Sequence, residues 1–292
     1  PAMHHLLLGL DTKSLGKAPY KPAIKNSLNK SGEELGLVSV KRINAYFPPN
    51  IAGFVGGDTA AFILSQRLDT TDKIVLGIDV GTNGEIILSI KGELFCCSCA
   101  AGCAFEGATI RHGMRGQEGA IEHLSILDLN EAPQFTVIGN TTPKGLCGSG
   151  IVDIVAALKT TDIIKSNGKM LESNRVIDFE GEKAYIITRP GENSSENLLI
   201  FTQNDVRQVQ LAKGAILAGA SILMKSAGVD VKDIDMLLLA GAFGTYIDPK
   251  SAMIIGLLPP VELEKVIPVG NAAGEGAKRM LLSLKERTLV EN

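Results

Sequence analysis

I-D-V-G-T-N-G-E-I, residues 78–86, sets two glycines, a threonine, an asparagine and two carboxylates between runs of isoleucine, valine and leucine. Three short β-rich runs surround it, over residues 73–80, 85–90 and 94–99, separated by G-T-N-G and K-G-E. That rhythm predicts an antiparallel meander, with the quoted stretch as a hairpin turn. Consecutive N–H groups in a glycine-rich turn form a concavity for phosphate oxygens, and Thr82 and Asn83 add side-chain donors. Asp79 at the strand end repels a bare phosphate but suits the Mg²⁺ that accompanies a nucleotide, directly or through water. The competing reading is a plain type I′ turn on Asn83-Gly84, with Asp79 and Thr82 merely solvated.

Composition bounds the rest. A chain of 292 residues, 45% hydrophobic and 21% charged, can bury a core divided between two lobes. Net charge −3, 4% aromatics and no long basic run argue against nucleic acid as a partner. No apolar run reaches the roughly 20 residues of a membrane helix. Five cysteines, four crowded into Cys96, Cys97, Cys99 and Cys103 with Cys147 alone, are not a spaced disulfide framework, so a cytoplasmic location is expected. Adjacent Cys96 and Cys97 point to opposite faces of a strand, which disfavours a shared metal. The four histidines read as packing or surface residues.

Along the chain, residues 2–10 read as a short helix or strand-to-helix entry, 15–40 as an irregular connector and 38–45 as a strand. G-G-D-T feeds a helix beginning near Asp58, whose carboxylate either caps that helix or polarises an attacking water. G-S-G at 148–150 leads into another helix, with Ser149 its natural cap. Residues 202–226 predict a long helix, capped by Thr202 with Asp205 at the third position. Residues 235–240 form a strand apolar on both faces that ends in G-A-F-G, the strand-end crevice where α/β folds hold ligands. A strand at 266–269 and a helix at 274–285 close the chain.

An acidic Gly-Thr hairpin followed by an apolar strand ending in G-A-F-G is similar to the phosphate and adenosine elements of the actin, sugar-kinase and heat-shock ATPase superfamily. M-H-H-L-L-L-G, F-P-P-N-I-A-G-F-V-G-G-D, I-D-V-G-T-N-G-E-I, A-A-G-C-A-F-E-G-A, L-C-G-S-G-I-V-D, L-A-G-A-F-G and V-G-N-A-A-G-E-G-A, in that order, resemble the ATPase domain of reductive activators of corrinoid-dependent enzymes. The resemblance spans nearly the whole chain. It implies an α/β, actin-like (ribonuclease H-like) ATPase fold with mixed sheets flanked by helices and an incomplete first lobe. Residues 1–70 would be the remnant of that lobe and the interlobe connection, 71–270 the second lobe, and 271–292 a helix returning towards the first lobe. The family's first phosphate loop and its [2Fe–2S] ferredoxin domain would lie upstream.

The implied activity is ATP-driven reduction of a Co(II) corrinoid to Co(I), with ATP or ADP and Mg²⁺ as cofactors. The implied partner is a corrinoid (cobalamin-containing) protein, and a homodimer is allowed. In this reading Asp79 anchors Mg²⁺, while Gly81, Thr82, Asn83 and Gly84 cradle phosphate. Lys213, Gly241, Ala242, Phe243 and Gly244 border adenosine, and Asp58 is the catalytic carboxylate. The glycine-rich loop 102–119, with Phe105, Arg111 and Met114, is the expected partner contact. A small-molecule kinase of the same fold and a non-enzymatic docking or dimerisation domain stand as alternatives, and whether the chain alone hydrolyses ATP stays open.

Overall fold

The computed structural model of the chain describes residues 1–40, 42–241 and 244–291, apart from the side chains of Val40 and Ser194. In chain order the elements are α1 (Ala2–Leu7), β1 (Leu28–Ser31), β2 (Asn44–Phe47), α2 (Gly57–Gln66), β3 (Ile74–Val80), β4 (Gly84–Ile90) and β5 (Glu93–Cys99). β6 (Ala120–Ser125), β7 (Gln134–Val137), β8 (Gly145–Leu146), α3 (Gly148–Thr160), β9 (Val176–Phe179), β10 (Glu182–Thr188) and β11 (Leu199–Thr202) follow. α4 (Gln203–Ser226), β12 (Met236–Ala240), α5 (Pro249–Ile255), β13 (Val266–Gly270), α6 (Ala272–Leu282) and α7 (Leu284–Glu291) complete the chain.

The main sheet has the order β13-β12-β3-β4-β5. β3, β4 and β5 form the expected antiparallel meander, whereas β12 runs parallel to both β3 and β13. β3 therefore has a parallel neighbour on one side and an antiparallel one on the other, which brings the ends of β3 and β12 and the start of β4 to one edge. Both faces of the sheet are covered. Leu76, Ile78, Val80, Ile86 and Leu88 point into the larger core with Val209, Ile216 and Ala220 of α4. Val75, Ile87, Leu238 and Ala240 point the other way, against Phe62 of α2 and Ala272 of α6. Strands apolar on both faces are what two-sided cover requires.

Local chemistry explains the main helices. α4 starts on a complete capping box: the Thr202 hydroxyl accepts from the Asp205 N–H, and the Asp205 carboxylate accepts from the Thr202 N–H at 2.8 Å. α2 lays Phe62 over Gly77, where a Cβ would stand 3.0 Å from the ring. Truncating this buried phenylalanine to alanine would cost roughly 3–5 kcal/mol. α2 ends at Arg67 in the left-handed conformation, and the Arg67 guanidinium grips both oxygens of Glu286 on α7 at 2.6 and 2.8 Å. α2 and α6 cross at backbone distance, since a Cβ on Gly276 would lie 2.0 Å from the Ala61 carbonyl oxygen.

Three elements differ from the sequence reading. The strand expected over 38–45 is confined to β2, and residues 38–40 make a 3₁₀ turn. Its partner is β1, inside the stretch read as an irregular connector. The last helix is two helices, because Ser283 adopts an extended conformation (φ −142°) that ends α6 before α7 begins. Smaller sheets, β7-β6-β8 and β11-β10-β9, stand between β5 and α4 in the chain. Among the described residues no helix is long and apolar enough to cross a membrane.

Candidate functional site

β3 and β4 pair in register through Asp79↔Glu85 and Val80↔Gly84, leaving Gly81, Thr82 and Asn83 as an exposed three-residue turn. The Gly81 N–H closes the turn on the Asn83 carbonyl at 3.0 Å. Neither Asn83 nor Gly84 has positive φ, so the turn is not the type I′ hairpin that Asn-Gly suggests. Gly84 is glycine for a packing reason: a Cβ there would lie 2.9 Å from both Cys99 Sγ and Ile216 Cγ1. Of the four predicted cradle residues, three are exposed and the fourth is buried against β5 and α4.

β12 carries the second motif to the same place. Its last residue, Ala240, is the register partner of Asp79. Gly241 turns away at φ +99° and donates its N–H to the Gly270 carbonyl at 3.0 Å. A Cβ at Gly241 would stand 2.8 Å from Asp79 Oδ1 and 2.7 Å from the Val80 carbonyl oxygen, so only glycine brings the two turns together. At Gly244 a Cβ would lie 2.3 Å from the Ala240 carbonyl oxygen, which makes this a tight return. Ala242 and Phe243, expected to border adenosine, lie outside the described residues.

Electrostatics mark this edge of the sheet. Asp79 and Glu85 lie on the α2 face, near Asp58 in the first turn of α2. Burial, and then the Asp58 carboxylate, push Asp79 up to about 6. Burial, then Asp58, then Asp79 push Glu85 up to about 7, although the Ser98 hydroxyl donates to it at 3.3 Å. Asp58 is not the cap of its helix: Gly56 holds that position, and Asp58 Oδ1 accepts the neighbouring Thr59 N–H at 2.8 Å. Among the described residues no cation or hydrogen-bond donor of the protein is paired with Asp79. A partly buried carboxylate in that state, beside two others, fits a divalent cation, which would reverse the repulsion. No group of three or more histidine, cysteine or acidic side chains among the described residues is close enough to hold a metal unaided. Mg²⁺ takes one or two carboxylates and fills its remaining positions with water and phosphate oxygens, so a cation at Asp79 would need those to complete its shell.

Beside the turn opens a chamber of about 590 Å³ lined by Phe105, Glu106, Arg115, Cys147, Ser149 and Tyr246, among others. Glu106 touches the turn directly, accepting the Thr82 hydroxyl, and Gly102 donates its N–H to the Thr82 carbonyl at 2.8 Å. Ser149 does not cap α3; Cys147 holds the capping position, and the buried Ser149 hydroxyl lies 3.4 Å from Cys147 Sγ. Lys213 lines a different, smaller cleft with Lys159 and Lys165, where burial and then Lys159 lower its pKa.

Two of the three residues expected to meet a partner have contacts within the chain, while residues 115–118 of that loop are exposed. Phe105 is buried, and Arg111 forms two hydrogen bonds with Glu180 while its guanidinium lies 4.5 Å from the Phe179 ring centre. Cys96 and Cys97 face opposite sides, Cys96 towards the α2 side and Cys97 towards α4. Glu85, Glu106 and Tyr246 escaped the sequence reading. Glu85 had a usable signal, since any three-residue turn between residues 80 and 84 sets it opposite Asp79. The other two depend on loops meeting in space.

Comparison with known proteins accounts for both parts of the chain. Residues 73–292 match the family described as the C-terminal domain of RACo, the ASKHA domain, and residues 1–71 match the RACo middle region. The chain is 39% identical to the corrinoid activation enzyme RamQ of Eubacterium limosum over 97% of this chain and 49% of the relative. It is 26% identical to the [Co(II) methylated amine-specific corrinoid protein] reductase of Methanosarcina barkeri, over 80% of this chain and 44% of that protein. A solved reductive activator for corrinoid, iron-sulfur protein superposes on 99% of the chain with a TM-score of 0.89 and 35% identity, using 46% of its own length. The chain thus spans about half the length of the relatives it matches.

Proposed function

The chain belongs to the RACo family, spanning its middle region and its actin-like ASKHA domain, and from that premise we propose that it is the nucleotide-binding part of an ATP-dependent reductive activator of a corrinoid protein. The observation that carries this reading is the Asp79↔Ala240 pairing: the phosphate turn and the G-A-F-G turn leave the same edge of adjacent strands, with Gly241 against the Asp79 carboxylate. Gly81, Thr82 and Asn83 form the rim that would face a β- or γ-phosphate, with the donors coming from Thr82 and Asn83 because the Gly81 N–H closes the turn, and Gly241 and Gly244 would shape the wall on the adenosine side. The nucleoside extends into the chamber lined by Glu106, Ser149 and Tyr246. Lys213 does not line that chamber, and we leave it no part in holding the base.

Mg²⁺ would be held by Asp79, directly or through water, with Asp58 and Glu85 adding negative potential. Its chemistry there is to neutralise phosphate charge and fix the phosphate's orientation. Asp58, in the first turn of α2 and electrostatically coupled to Asp79, would orient a water molecule. In the whole protein, a nucleotide that favours one lobe arrangement changes affinity for the corrinoid protein only through a difference between arrangements. The cobalt would pass from Co(II) to Co(I) with an electron from a [2Fe–2S] centre outside this chain.

Calorimetric titration with Mg-ADP and a non-hydrolysable Mg-ATP analogue tests the nucleotide site. Saturable binding that Asp79→Ala weakens supports it; absence of heat from a folded sample removes it. A small-molecule kinase would consume ATP only when its phosphate acceptor is supplied.

A further inference from the structure

The A-F-E-G motif has no task in the reading so far, yet it makes the contact that decides what the phosphate turn can offer. Thr82 is tied at two atoms: its carbonyl accepts from Gly102, and its hydroxyl donates to the Glu106 carboxylate. The arm that presents Glu106 is firmly seated. Ala104 and Phe105 are buried, and Gly107, at φ +80°, is pressed so closely on the returning loop at Gly113 and Met114 that a Cβ would meet the Met114 nitrogen at 2.5 Å. The carboxylate therefore reaches the turn from a fixed backbone, with only its side-chain torsions free.

A hydroxyl has one proton to donate. While Glu106 accepts it, Thr82 cannot donate that proton to a phosphate, and a carboxylate touching the turn also repels the incoming anion. We propose that Glu106 is a positioning residue that holds the Thr82 hydroxyl in the nucleotide-free turn and yields it to the terminal phosphate, so that it sets the preference between nucleoside triphosphate and diphosphate. This rests on the phosphate reading of the turn. The exchange disfavours nucleotide by the strength of one charge-assisted hydrogen bond plus the charge repulsion. The more highly charged triphosphate feels the repulsion more.

The test is calorimetric titration of the chain, of Glu106→Gln, of Thr82→Val and of the double variant, each with Mg-ADP and a non-hydrolysable Mg-ATP analogue. Glu106→Gln keeps the shape and removes the charge. It should tighten the ATP analogue roughly tenfold, with a smaller gain for ADP, so that the ratio of the two affinities changes. In the Thr82→Val background the same replacement should keep the share due to charge repulsion and lose the share due to the proton, so that an undiminished gain there would overturn the exchange. A merely structural glutamate would lower thermal stability and leave the ratio alone. Nucleotide binding with an unchanged ratio in Glu106→Gln overturns the exchange and leaves the phosphate site standing. No binding by the unaltered chain overturns both.

Discussion

β4 has a turn at each end, and the two are built on different chemistry. At one end Lys91 and Gly92 form a two-residue connection with φ +52° and +91°, the positive values that a type I′ hairpin demands. At the other, Gly81, Thr82 and Asn83 take three residues, have no positive φ, and stand exposed beside carboxylates pushed up to about 6 and 7. The first turn satisfies the chain. The second sets an exposed turn beside crowded carboxylates that a proton or a cation must relieve, an arrangement that folding by itself has no reason to favour.

The sharpest way to break this contrast is at the turn made for folding. Gly92→Val should cost about 3 kcal/mol in urea unfolding, because φ is +91° and a Cβ would meet the Asp69 carbonyl oxygen at 2.7 Å. The ratio of nucleotide affinities in the remaining folded protein should not change; a changed ratio would mean that the two turns are not independent. Gly84→Ala comes next, at about 2 kcal/mol, since Cys99 Sγ and the Ile216 side chain have to give way. A loss of nucleotide binding without loss of stability there would return Gly84 to the phosphate cradle.

The third test uses pH. Unfolded aspartate and glutamate release their protons near roughly 3.9 and 4.3, whereas Asp79 and Glu85 retain theirs up to about 6 and about 7. Between those limits the folded chain binds more protons than the unfolded chain, so this contribution to stability falls as pH rises from about 4 to 7 and is flat above. Asp79→Asn removes part of the slope. It should stabilise the protein by about 1–2 kcal/mol at pH 8, a figure already reduced for partial exposure, and by roughly half as much at pH 5. Thermal melts at both pH values check this; equal effects at the two would show that the Asp79 carboxylate is not desolvated. The smallest effect is expected at Gly81→Ala, under about 1 kcal/mol, because φ is ordinary and the nearest atom to a Cβ, the Asn83 carbonyl oxygen, is 3.4 Å away. A larger loss would mean that the exposed turn is under strain.

The parts of the molecule that were legible in the sequence are those whose signals are local. The Thr202–Asp205 box starts α4 where the residues say it should, and alternating apolar runs with G-T-N-G and K-G-E specify the meander. Leu28–Ser31 became a strand without any apolar alternation, because pairing with Asn44–Phe47 supplies what the segment lacks. The candidate site was legible only in outline. Asp79 and the glycines announce themselves, but Asp58 reaches this edge only through α2's position over the sheet, and Glu106 through a loop that returns to the turn. Asn-Gly misled in one respect: it is the strongest local cue for a type I′ turn, and the three-residue register overrode it.

The crossing of α2 and α6 has a mechanical consequence. Ala61's carbonyl is seated on Gly276 with no side chain between them, so the two helices cannot slide past one another in small steps and must turn as a single lever. One arm of that lever begins at Asn271, next to the Gly270 carbonyl that receives the Gly241 N–H. The other carries Asp58 and leads back to residues 1–56. A shift at Gly241 is thus passed from α6 to α2 along one face of the sheet, back to Asp58, by backbone contact.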